Sequence, residues 1–104
     1  MKGLLGRPRK VETGAQSLRA LRLAAGLSQP QAQRRIGECL GRKIGSGTVS
    51  RWETYQEPGA EMIPAIAAVY GVPLEDVFYA ISQDRRARAA REEAARAAAD
   101  EVAR

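Results

Sequence analysis

Gly26-Leu27-Ser28-Gln29-Pro30-Gln31 and, fourteen positions further on, Gly45-Ser46-Gly47-Thr48-Val49-Ser50-Arg51-Trp52-Glu53 are the stretches that decide how this chain folds. In the first, Ser28 is placed to cap a helix, and Gln31 three residues later completes the reciprocal capping pattern. Pro30 falls in the opening turn, where its missing N–H costs nothing. Ala32, Ile36 and then Cys39 or Leu40 continue at helical spacing, while Gly37 and Gly41 leave the end of this helix open. In the second stretch, Gly45-Ser46-Gly47 reads as a turn. Thr48 to about Tyr55 follows as a short helix, with Val49 and Trp52 three apart and directed to a core. A Trp at this spacing is read as packing rather than as a stacking platform.

The flanks repeat the helical theme. Ser17 to Ala25 predicts a first helix with Leu18, Leu21 and Ala25 on one face and Gly26 as its stop. Glu57-Pro58-Gly59 breaks the chain, and Ala60 to Tyr70 forms a fourth helix with Ile63, Ile66, Ala67 and Tyr70 on one side. Pro64 is expected to weaken or bend its start. After Gly71, Pro73 opens a fifth helix in which Val77 and Phe78 are apolar and Glu75 and Asp76 suit the positive end of the dipole. Strand signals are almost absent, so the expected class is all-α. Three segments follow: a flexible basic arm at 1–16, a five-helix domain at 17–81 and a charged, Ala-rich helical tail at 82–104. In that tail Asp84, Arg88, Glu92, Arg96, Asp100 and Arg104 alternate in sign every four residues. Such pairs stabilise a helix by about 0.2–0.5 kcal/mol each.

Charge narrows the function classes. The net charge is +5, but residues 1–52 hold eleven basic side chains against two acidic ones, and the remainder is acidic by four. A basic half joined to an acidic half predicts a polyanionic partner for the first. There is no histidine, and the single Cys39 has neither a disulfide partner nor a general base. With no phosphate-cradling loop and no carboxylate–metal cluster, the sequence predicts no enzyme, no cofactor and no metal. The opening residues lack the apolar core of a secretory signal, and no apolar run approaches the ~20 residues of a membrane helix. A cytoplasmic protein is expected.

Leu18-Arg19-Ala20-Leu21-Arg22, Gly26-Leu27-Ser28-Gln29, Thr48-Val49-Ser50-Arg51-Trp52-Glu53, Pro58, Ile63, Ile66-Ala67, Gly71-Val72 and Val77-Phe78 together resemble the lambda-repressor-like (Cro/repressor, XRE-type) helix-turn-helix domain over about residues 17–79. The resemblance implies double-stranded DNA as partner, a third helix in the major groove and a role as transcriptional repressor. Carried onto this sequence, it implies Ser46, Gly47, Ser50 and Arg51 as base-facing residues. Arg51 is suited to donate two hydrogen bonds to guanine O6 and N7. It further implies phosphate contacts for Gln29 and Thr48, and an ion pair between Arg22 and Glu53 that ties the first helix to the third. Domains of this kind often bind as homodimers on two half-sites. An adaptor of the same fold that binds protein, an antitoxin that represses its own operon, and a sequence-tolerant architectural binder are the alternatives.

Three departures from the family pattern stand out. Residues 38–43 are additional between the second and third helices and either lengthen the second helix or form a longer loop, where Arg42 and Lys43 gain access to phosphates. Gln33 occupies a helix-crossing position that is a small Ala in the family. Tyr55 replaces the glycine that usually ends the third helix. In the arm, Gly6-Arg7-Pro8-Arg9-Lys10 resembles an AT-hook core, which assigns Arg7, Arg9 and Lys10 to an A·T minor groove or to phosphates. Ala87, Ala90, Ala94 and Ala97 form a small-residue seam in the tail, readable as a pairing face or as a solvated helix.

Overall fold

The computed structural model describes residues 17–103. The arm with Arg7, Arg9 and Lys10, and Arg104 at the far end of the charge series, lie outside the described residues. The chain runs α1 (Leu18–Ala24), α2 (Gln29–Leu40), α3 (Thr48–Thr54), a 3-10 turn (Ala60–Met62), α4 (Ile63–Tyr70) and α5 (Leu74–Ala103). The fold is all-helical, with no strand among the described residues. No single helix among them is long and apolar enough to cross a membrane.

Local chemistry sets most boundaries. The Ser17 hydroxyl accepts from the Ala20 N–H at 3.0 Å. The Leu18 N–H, another orphan donor of the same helix end, goes to Asp84 Oδ2 on α5 at 3.2 Å. At α2 both arms of the capping box form: Gln31 N–H donates to Ser28 Oγ at 3.2 Å and Ser28 N–H to Gln31 Oε1 at 2.8 Å.

Of the two candidate stops in α2, Gly41 is the real one. It takes the left-handed conformation (φ 75°), and the Arg42 N–H behind it returns to the Gly37 carbonyl at 3.0 Å. Gly37 is helix interior for a tertiary reason: a Cβ there would sit 2.7 Å from the Arg42 carbonyl oxygen, so the returning loop requires a bare backbone. The additional residues therefore divide, part lengthening α2 and part forming the loop from Gly41 to Gly47.

The core draws on every α-helix. Ile36, Ile66, Val49 and Val77 are fully enclosed, with Leu18, Leu21, Trp52 and Tyr70 around them. The packing sets α4 between α2 and α5, while α1 rests on α3, α4 and α5. Three details lie beyond the sequence reading. The fourth helix opens as a 3-10 turn and becomes α only at Ile63, because Pro64 cannot donate to the turn before it. Phe78 does not share the burial of Val77: the two point about 100° apart around the helix, and Phe78 is 56% exposed. Finally, the fifth helix and the charged tail are one rod of 30 residues, about 45 Å at 1.5 Å per residue. No Gly or Pro interrupts residues 74–103. Beyond Arg91 every described side chain is exposed.

Candidate nucleic-acid interface

The leading end of α3 is the centre of the site. Val49 and Trp52 anchor its rear in the core. Ser46 and Gly47 lie just ahead of the first turn, exposed, while Ser50 and Arg51 are partly exposed on it. The helix thus begins at Thr48, two residues after Ser46. Gly47 is the N-cap at φ 81°, a conformation that strains any L side chain, and no side chain caps this end. Its missing Cβ has a second use. The guanidinium of Arg51 folds forward along α3, where Nη2 donates to Thr48 Oγ1 at 3.3 Å, and a Cβ at Gly47 would stand 3.3 Å from Nη1. Three residues expected at the interface, Gly47, Thr48 and Arg51, thus form one arrangement that delivers a fork of donors to the tip of the helix.

Behind this tip α3 is fixed by a buried polar cluster. Arg22 Nε donates to Glu53 Oε2 at 2.6 Å, and Nη2 to Oε1 at 3.1 Å. Its third direction goes to the Leu27 carbonyl, from Nη1, at 2.8 Å. The side chains are 6% and 4% exposed. The Glu53 hydrogen bond, opposed by burial, raises the Arg22 pKa further. Burial, with Glu53 nearby, pushes the Tyr70 phenol well above its usual range.

Gln29 joins the same cluster, with Nε2 donating to Glu53 Oε1 at 3.1 Å. The residue expected to meet phosphate therefore spends one donor on bracing α3, and its carbonyl oxygen and second N–H remain.

The additional loop extends the surface on one side. Arg42 and Lys43 are exposed and, with Arg34 of α2, line a cleft of ≈ 990 Å³ between α2 and the loop. No ion pair among the described residues engages these three cations. Pro30, Gln33 and Ser46 belong both to this cleft and to a smaller one of ≈ 210 Å³ that also takes in Gln29, Gly47 and Ser50. The two clefts make one furrow leading to the tip of α3.

At its other end α3 stops without a glycine. Tyr55 sits at φ −149°, on the side open to L residues, and its N–H and that of Gln56 both return to the Arg51 carbonyl at 3.0 Å. Beyond it the exposed Glu57 accepts from Arg85 Nε at 2.6 Å and Arg88 Nη2 at 3.4 Å, while Arg91 Nη2 reaches the Thr54 carbonyl at 3.5 Å. This attachment to α5, like the Asp84 bond to α1, spans 28 to 66 residues and has no local signal in the sequence. No group of residues suited to holding a metal occurs among the described residues.

A family model described as Helix-turn-helix matches residues 18–77, from α1 into α5. No curated protein and no solved structure matches the chain.

Proposed function

Because the chain belongs to the lambda-repressor-like, XRE-type helix-turn-helix family, and is thus a DNA-binding regulator of that type, we propose that it is a sequence-specific transcriptional repressor. It binds double-stranded DNA as a homodimer. Each copy inserts the tip of α3 into the major groove, which admits one helix. Ser46, Gly47, Ser50 and Arg51 face base edges. Gln29, Thr48, Arg42 and Lys43 meet phosphates, and Arg7, Arg9 and Lys10 of the arm add minor-groove or phosphate contacts. The observation that carries this reading is the forward-folded Arg51 guanidinium at an end of α3 that has no side-chain cap.

Selection of bound duplexes from a random library tests it. A motif containing a guanine, repeated with two-fold symmetry at half-sites about 34–36 Å apart, is expected. Arg51→Ala relaxes the preference at that guanine at a cost of about 1–3 kcal/mol in binding. Equal weakening on every sequence would remove Arg51 from base reading, and failure to retain any duplex would move the function to protein binding. A promoter carrying the selected site should lose output when the protein is expressed. Unchanged or raised output would sink repression.

A further inference from the structure

Gln33 is a polar residue of the furrow that the functional reading leaves unused. It lies on α2 at a position that is small in the resembling family, and it is only half-buried. It lines both clefts, and the smaller one takes in Ser46, Gly47 and Ser50 at the tip of α3 as well as Gln29, Pro30 and the buried Val49. Gln29 and Gln31, its neighbours along α2, both have internal partners: Gln29 bonds Glu53, and Gln31 closes the capping box. Among the described side-chain hydrogen bonds the Gln33 carboxamide makes none. Its carboxamide thus keeps both its donor and its acceptor capacity. It holds them in a concavity shared with residues assigned to base edges.

We propose that Gln33 is a specificity-determining residue, reading an adenine beside the base contacted by Arg51. The carboxamide matches adenine in the major groove, accepting from N6–H and donating to N7. An arginine at this place would prefer guanine, and the native Ala-sized side chain of the resembling family would read nothing. The additional residues after Gly37 are what make the assignment geometrically possible. By returning over Gly37 and not across α2 nearer its start, the loop leaves the furrow at Pro30, Gln33 and Ser46 open. Sequence reading thus moves partly onto α2, a helix otherwise concerned with the phosphate backbone. The inference rests on the DNA-reading function proposed above.

The test is library selection with the full chain and with Gln33→Ala and Gln33→Glu, each first checked for an unchanged thermal melt. Gln33→Glu guards against an Ala variant that fails to fold. The native chain should enrich adenine at one position per half-site. Gln33→Ala should flatten that position roughly tenfold while the guanine set by Arg51 persists. Gln33→Glu, an acceptor only, should turn the preference towards cytosine, whose N4 donates. The same motif from all three proteins, or a uniform loss on every sequence, overturns the proposal and leaves the Arg51 reading standing. A native chain that enriches no motif overturns both, and does so in the arm without any substitution.

Discussion

Glu53 and Glu57 sit four residues apart, each gripped by arginine at 2.6 Å, and they do unlike work. Glu53 is enclosed, with its carboxylate shared by Arg22 of α1 and Gln29 of α2, and it fixes the angle at which α3 leaves the core. Glu57 lies in the turn after α3, 35% exposed, facing Arg85 and Arg88 of the long helix. Bond lengths do not separate them; solvent does. A pair in water gives back in screening and side-chain entropy most of what it gains. A pair in the core is costly to assemble and far more costly to halve, since one charge is then left stranded. Helix α3 is therefore held firmly at its rear by α1 and α2 and only loosely from α5.

The largest expected effect breaks the buried cluster. Glu53→Ala leaves Arg22 with the Leu27 carbonyl alone and should destabilise the domain by about 3 kcal/mol, read from urea midpoints. A loss no greater than that of Glu57→Ala would mean that burial does not distinguish the two.

Asp84 is the intermediate case, half-buried and bonded to a backbone N–H. Burial raises its pKa, with the Leu18 N–H and Arg88 opposing. A raised carboxylate favours the protonated fold, so its penalty is complete above the folded value and disappears as pH falls below the unfolded one. Asp84→Asn retains an acceptor without the charge. It should stabilise slightly near neutral pH and give no benefit in acid. A gain that grows on acidification contradicts this account.

The smallest effect belongs to Glu57. Arg85 holds its carboxyl below the usual range, so its contribution exists above the ordinary carboxylate value and is lost as pH falls through the lowered one. Glu57→Ala should move the melting temperature by little more than experimental error, and not at all in high salt. A large, salt-insensitive shift would make the α5 attachment a structural support in its own right.

What the sequence made legible was local. The capping box at Ser28 and Gln31, the turn at Gly45 to Gly47, and the spacing of Val49 and Trp52 each follow from contacts a few residues long. What escaped it was chosen by distant neighbours. Gly37 looks like a stop and is helix interior, because only the folded loop brings the Arg42 carbonyl against it. The change in composition at Ser82 suggests a boundary, but backbone continuity depends on breakers, and none is present. Nothing in the spacing of Arg22 and Glu53 implies their pairing, which only likeness to the family suggests. The same likeness directs Gln29 outward. The geometry turns part of it inward, and it leaves Gln33 as the unpartnered glutamine of that helix face.

Cys39 is the single cysteine of the chain, and it is exposed in the last turn of α2, two residues before the Gly41 that launches the loop. A maleimide dye therefore attaches at one place without any prior mutagenesis. It reports emission changes from the end of α2 that precedes the loop of Arg42 and Lys43, a label for binding experiments at native composition. The same thiol will couple two molecules through a disulfide if preparations are left in air. Sedimentation or light-scattering measurements of assembly state therefore call for a reductant in the buffer.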